Sequence, residues 1–239
     1  MKRLLIVDNN IDPPHGCAEI RALLEAAGRD FGSVTVQSLR GPDLALPVSP
    51  SGWDGVVLSG SKTRISESAP WIDREMEFLR ALRAGRIPTL GICYGEQLMA
   101  RVFGGDDSAG ASRLDEFGWA EVEMLPQAGK SAVFGSLPSR FHTFQFHADE
   151  VYRVPQGAAL MARSERCEVQ AFEFKDAPMW GVQFHAERSL EEGNAGLDRR
   201  RARLPDAQIL HRDLGAQVYD PQIAERMFRG FLSVVWGRA

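Results

Sequence analysis

Apolar residues recur along the chain in two rhythms. Leu4–Val7, Gly55–Leu58 and Pro88–Ile92 are short, nearly unbroken apolar runs bounded by polar or turn-forming residues, and they read as strands buried on both faces. Between them the period changes to that of a helix. Ile20, Leu23, Leu24 and Ala27 share one face of Ala18–Ala27, and Ile72, Met76, Leu79 and Leu82 share one face of Pro70–Ala84. Gly28 is expected to end the first helix as a left-handed residue, and Gly85 follows the second. Val34–Val36 adds a strand, and residues 42–50 form a proline-rich connection. Tyr94–Phe103, closed by Gly104-Gly105, makes a helix that starts directly from the preceding strand. Strands alternating with helices through short connections predict a parallel sheet covered on both faces.

After a Gly/Asp/Ser-rich loop from Gly104 to Ser112 the pattern changes. Trp119–Leu125, Phe141–Phe146, Ala159–Ala162, Val169–Phe174 and Met179–Phe184 all read as strands with tight connections, so a mixed or antiparallel extension is expected. Ser189-Leu190-Glu191-Glu192 has the capping-box form, within a polar segment that runs to Tyr219 and carries Arg199, Arg200, Arg201 and Arg203. Asp220-Pro221 supplies a cap and first position for a last helix whose Ile223, Met227, Phe228, Phe231, Leu232 and Val235 face the core. The expected fold is α/β: a three-layer αβα sandwich with a mostly parallel, flavodoxin-like central sheet and a small antiparallel extension. It is read as a single domain over residues 1–239, with 189–219 inserted before the C-terminal helix.

Composition narrows the function. The 239 residues are 44% hydrophobic and 25% charged, which suits a folded globular chain. No apolar run approaches the ~20 residues that span a bilayer, and the Met1-Lys2-Arg3 start lacks a small-residue cleavage site. No membrane association is expected. A net charge of −4 gives no electrostatic case for nucleic acid. Cys17, Cys93 and Cys167 are odd in number and widely spaced, which argues against a disulfide framework or zinc knuckle and for a reducing, cytoplasmic setting. Gly60-Ser61-Lys62-Thr63 lacks the glycine–lysine adjacency of a phosphate loop and reads as a turn. His15 and Cys17 are two ligands without further partners, Cys167 reads as core, and the arginine run reads as a solvated helix face. Neither a metal nor a cofactor is expected.

The chemistry concentrates in Gly91-Ile92-Cys93-Tyr94-Gly95-Glu96-Gln97. A cysteine on the turn from a buried strand into a helix, with glycines two residues before and after, has the form of a nucleophile elbow. The glycines allow close backbone approach, and the helix N-terminus favours a thiolate. Taken alone, such a cysteine is as well explained by burial in the core. A second segment, Gly181-Val182-Gln183-Phe184-His185-Ala186-Glu187, alters the weighing, because His185 and Glu187 are two apart on a strand and share one face. A thiol needs a base, and the base needs a group that fixes its tautomer. Cys93, His185 and Glu187 can supply the three roles.

In these two motifs the sequence resembles the class I, triad-type glutamine amidotransferases, whose elbow reads G-x-C-x-G-x-Q and whose histidine strand reads G-x-Q-F-H-P-E. Leu58-Ser59-Gly60-Ser61 is similar to the family's oxyanion strand and loop, and His147-Ala148-Asp149-Glu150-Val151 to its H-x-D-x-V segment. The matches are in order and cover roughly residues 1 to 187. The resemblance implies hydrolysis of the glutamine side-chain amide through a γ-glutamyl thioester on Cys93, with His185 as acid and base and Glu187 orienting it. It also implies backbone N–H donors at Gly60, Ser61 and Tyr94 for the oxyanion, and a substrate grip by Gln97, Gln145, Phe146 and His147. Three departures stand out: Ser61-Lys62 replaces Gly-Pro after the oxyanion strand, Ala186 replaces the proline, and Glu96 replaces a frequent histidine, placing a carboxylate beside the thiol. No motif in the chain suits it to consume ammonia. The resemblance to the amidotransferase half of GMP synthase therefore implies a separate ammonia-accepting synthase subunit. Two alternatives are a stand-alone hydrolase of γ-glutamyl peptides or conjugates, which such peptidases also resemble, and a non-catalytic regulatory module whose sole support is Glu96.

Overall fold

The computed structural model describes residues 1–206, 208–211 and 214–238. Its strands are β1 (Lys2–Asp8), β2 (Val34–Arg40), β3 (Gly55–Leu58), β4 (Thr89–Ile92), β5 (Ala109–Met124), β6 (Arg140–Val151), β7 (Ala158–Arg163), β8 (Ala171–Phe174) and β9 (Met179–Val182). They form one sheet in the order β2-β1-β3-β4-β9-β8-β7-β5-β6. The first five strands in that order run parallel, with the 2-1-3-4-5 order of a flavodoxin-like sheet. The other four join antiparallel.

Helices cover both faces. On one side α1 (Ala18–Gly28) and α6 (Gln222–Val235) pack Leu24, Phe228, Phe231 and Leu232 against Leu4, Ile6, Val57 and Leu90. On the other, α2 (Pro70–Ala84) and α3 (Tyr94–Gly104) pack Phe78, Leu79, Leu82 and Leu98 against Leu5, Val7, Val56 and Leu58. Consecutive strand residues thus feed opposite cores, which is why these runs show no alternation. α6 begins at Gln222, one residue later than expected, and Asp220 Oδ1 accepts the Gln222 N–H at 2.9 Å as the cap.

The antiparallel part is larger than expected, since β5 reaches back to Ala109 and takes in the end of the segment expected to be a loop. Its pairing with β6 runs from Ala109↔Val151 to Glu123↔Arg140 with a break between Ala111 and Glu116, so a long partner strand overrides the local loop composition. Gly28 also has a different role from the one expected. It lies inside α1, and Arg29 caps the helix in the right-handed region. What requires glycine there is space: a Cβ would stand 2.8 Å from Val34 Cγ1.

The 189–219 segment contributes α4 (Leu190–Arg203) and α5 (Gly215–Val218). The capping box is formed, with Ser189 Oγ accepting from Glu192 N–H and Glu192 Oε2 accepting from Ser189 N–H, both at 3.2 Å. α4 lies over an aromatic group on β5 and β6, where Leu197 packs with Phe117, Trp119 and Phe144, and Trp119 Nε1 donates to Asn194 Oδ1 at 3.1 Å. The arginine run is therefore only partly a solvated face, because the Arg200 guanidinium sits 3.2 Å from the Phe117 ring centre.

Candidate active site

Cys93 occupies the single residue between β4 and α3, at φ 52° and ψ −105°, a region that L side chains rarely adopt. The flanking glycines make the turn feasible. A Cβ on Gly91 would lie 2.7 Å from the Gly95 carbonyl, and one on Gly95 would lie 2.7 Å from the Leu58 oxygen. Two backbone bonds fix the elbow: Cys93 N–H donates to Val182 O of β9 at 2.7 Å, and Cys93 O accepts from Gln97 N–H at 3.0 Å.

The chain leaving β9 brings His185 to this turn. His185 N–H donates to Phe144 O of β6 at 2.8 Å, so the histidine is stitched between the two halves of the sheet. Its Nδ1 lies 2.6 Å from Glu187 Oε1, and its ring shares a hydrogen bond with Cys93. Gly60 completes the constellation. The position its Cβ would take is 2.9 Å from His185 Cε1, 3.7 Å from His185 Nε2 and 3.5 Å from the Cys93 Cβ, so any side chain there would displace the imidazole. Burial pushes His185 down, but the Glu187 carboxylate and then the Cys93 sulfur more than offset it and raise the ring to about 10. Burial also pushes Glu187 up, and the charge and hydrogen bond of His185 outweigh it, holding the carboxyl below its usual range. The arrangement favours an imidazolium clamped by a carboxylate next to a sulfur nucleophile.

Ser59, Gly60 and Ser61 follow β3 directly beside the elbow, and the Tyr94 N–H opens α3. Of the residues expected to grip substrate, three turn their side chains inward. Gln97 Nε2 donates to Asp149 O at 2.8 Å and to Gln183 Oε1 at 2.9 Å, and Gln145 Nε2 donates to Gln170 Oε1 at 3.1 Å. The His147 ring spans Asp149 O and Glu116 Oε2, 3.0 Å from each. Phe146 differs. Because Phe144 O turns outward to His185, the two-residue period of β6 directs the N–H and C=O of Phe146 to the same edge.

Glu96 does not place a negative charge beside the thiol. It is fully buried under Gly181, and burial, then the nearby Cys93, hold its carboxyl far above the usual range and therefore neutral. A second Cys-His-Glu group lies inside the molecule: ligand atoms of Glu116, His147 and Cys167 fall within 4.8 Å of one another, the one such convergence among the described residues. Its hydrogen bonding is already taken up. Glu116 accepts from Ser164 Oγ at 2.9 Å and Gln170 Nε2 at 2.7 Å, and the Cys167 thiol donates to Val169 O at 3.3 Å. Burial, then Glu116, push that thiol far up, and burial, then Asp8, push the Cys17 thiol up to about 12, so neither is an ionised nucleophile at neutral pH. Sequence reasoning missed Phe144, whose carbonyl holds His185, and Asn9 and Glu75 behind the Gly60 turn. None of the three stands in a motif.

The strained cysteine on a strand-to-helix turn, with a histidine–glutamate pair arriving from the neighbouring parallel strand, defines a triad hydrolase on an α/β sheet. Residues 18–201 match the family model "Glutamine amidotransferase class-I". The chain belongs to this enzyme family. It is 42% identical over 138 residues to a glutamine-hydrolyzing GMP synthase subunit of Methanopyrus kandleri, covering 58% of this chain and 68% of that one. Two further archaeal proteins of that description, from Thermococcus kodakarensis and Pyrococcus furiosus, align over 60% of their length. A γ-glutamyl-L-1-hydroxyisopropylamide hydrolase of a Pseudomonas species is 33% identical over 218 residues, covering 84% of this chain and 72% of the other. A glutamine amidotransferase crystal structure from Thermotoga maritima shares the fold over 98% of both chains, with a TM-score of 0.77 at 22% identity. No helix among the described residues is long and apolar enough to cross a membrane.

Proposed function

We propose that the chain hydrolyses the side-chain amide of glutamine through a γ-glutamyl thioester on Cys93 and passes the ammonia to a separate synthase subunit. The observation that carries this reading is the meeting of Cys93, His185 and Glu187 at one sheet edge beside the Gly60 turn. Cys93 Sγ attacks the amide carbon, and N–H groups of Gly60, Ser61 and Tyr94 receive the developing oxyanion. His185 gives its proton to the departing ammonia and then takes one from the water that opens the thioester, while Glu187 holds the ring. The outward backbone of Phe146 binds the amino-acid end of the substrate, and the inward side chains of Gln97, Gln145 and His147 support that edge from behind. Likeness to the GMP synthase relatives, each named as one part of a larger enzyme, supports the separate acceptor, and three free, buried cysteines suit a cytoplasmic setting. The reading treats residues 1–239 as one domain.

One observation favours a second reading, in which the chain is a self-sufficient hydrolase of γ-glutamyl amides with larger leaving amines. The Pseudomonas hydrolase aligns over 84% of this chain, against 58% for the M. kandleri protein. The chemistry at Cys93 is the same. Glutamate release by wild type and Cys93→Ala, with glutamine and a γ-glutamyl alkylamide side by side, tests both. Turnover of glutamine that vanishes in Cys93→Ala and rises with the acceptor protein supports the first, and preference for the alkylamide supports the second. If neither substrate is turned over and a glutamine-like chloroketone leaves no adduct on Cys93, the catalytic assignment fails.

A further inference from the structure

We propose that Glu75 of α2, as an un-ionised carboxylic acid paired with the carboxamide of Asn9, is a positioning residue that sets the Ser59–Gly60–Ser61 turn. The proposal deepens the reading above and rests on it for the role of that turn. Asn9, at the end of β1, grips Ser59 twice: its backbone N–H donates to Ser59 Oγ at 2.9 Å and its Nδ2 to Ser59 O at 3.3 Å. Ser59 Oγ in turn donates to Gly60 O at 2.9 Å. Behind Asn9, Nδ2 also donates to Glu75 Oε1 at 2.9 Å. The chain of contacts therefore runs from an α2 side chain to the peptide groups beside Cys93.

The two atoms left over identify the proton. Asn9 Oδ1 and Glu75 Oε2 are buried without a partner among the described residues, and both face Gly41, where a Cβ would lie 2.8 Å from the first and 3.6 Å from the second. Two bare acceptors held in one buried site repel, whereas a proton on Oε2 donated to Oδ1 satisfies both and gives a cyclic acid–amide pair. Asn9 and Glu75 are fully buried, and burial, against the weaker Asn9 hydrogen bond, pushes the carboxyl up to about 8. The surrounding groups leave it uncompensated. From α3 it faces the Tyr94 phenol, which burial and then Glu75 itself keep un-ionised. Asp8, beside Asn9, spends its carboxylate on Asn10 and Gly16, and Arg101 and Glu67 act on Tyr94 rather than on Glu75. Ionisation of Glu75 would strip the clamp of one hydrogen bond and place two oxygens in opposition at the base of the turn.

The test compares the full chain as wild type, Glu75→Gln and Glu75→Ala by two measurements. Hydrogen exchange over peptides containing Ser59–Ser61, corrected for intrinsic rates, should quicken at least tenfold in Glu75→Ala and in wild type above pH 8, while Glu75→Gln, a permanently neutral isostere, restores protection at both pH values. kcat for the γ-glutamyl amide should fall 10- to 100-fold in Glu75→Ala with KM nearly unchanged, and Glu75→Gln should rescue it and remove the loss above pH 8. Alkylation of Cys93 by iodoacetamide, which needs no oxyanion donor, should stay within twofold throughout. Equal exchange in all three proteins, or alkylation falling in step with kcat, overturns the proposal. If wild type hydrolyses neither substrate, the functional reading fails, and the exchange data alone still decide whether the clamp exists.

Discussion

At Cys93 the backbone and the side chain make opposite demands: the elbow costs about 1–3 kcal/mol in an L residue, and only a side chain there can be the nucleophile. Removing the sulfur separates the two. Cys93→Ala and Cys93→Gly should both reduce hydrolysis by at least about 10³-fold, but Cys93→Gly should unfold at higher urea than Cys93→Ala, by about 1 kcal/mol, since glycine adopts φ 52° freely. Equal midpoints would show the turn to be unstrained. His185 carries a pH dependence of definite sign. Its folded value is raised from 6.5 to about 10, so its contribution to stability is complete below about pH 6.5 and is lost as pH rises through 10. Denaturation midpoints should fall between pH 8 and 10, and Glu187→Gln should flatten that fall. A variant curve parallel to wild type would assign the effect elsewhere. The elbow and the His-x-Glu spacing were legible at this scale because each is a local pattern. Glu96 was not, because its ionisation depends on neighbours from β8 and β9 that are remote in sequence.

Among the elements, α4 links the inserted segment to the candidate site. Gly193 faces Phe144 Cδ2 and Trp119 Cζ2, which would lie 3.0 and 3.1 Å from a Cβ, and Phe144 holds His185 through its carbonyl. Gly193→Leu should therefore lift α4, costing about 1–3 kcal/mol in stability, and lower kcat as well. A stability loss with kcat unchanged would detach the insertion from the site. Ser189→Ala removes the capping box and should cost about 0.5–2 kcal/mol, read from the midpoint of thermal or urea unfolding. The parallel strands and their helices were readable from hydrophobic period alone. β5 was read short and α4 was read as a solvated face. The strand is completed by its partner, and the helix buries Arg200 on an aromatic ring that local pattern does not reveal.

Across the whole molecule, a layer of buried polar side chains lies between α3 and the antiparallel half of the sheet: Glu96, Gln97, Gln145, Gln170 and Gln183, all nearly or fully inaccessible. Glu96 takes up a proton on folding, because burial and then Cys93 raise its carboxyl well above the ordinary value of 4.5. The native state therefore binds more protons than the unfolded one above pH 4.5, and this group's contribution to stability declines as pH rises. Glu96→Gln should lessen the decline of the urea midpoint between pH 5 and 8, and an unchanged slope would count against a neutral Glu96. The sequence by itself determined the parallel α/β framework, the glycine-flanked cysteine and the histidine–glutamate pair, since each depends on spacing within a few residues. Only the tertiary structure decided which sulfur meets an imidazole, that Glu96 is uncharged, and that Asn9 and Glu75 stand behind the Gly60 turn. Those outcomes depend on desolvation and on contacts between residues 50 to 86 positions apart, and neither is encoded in any local stretch of the chain.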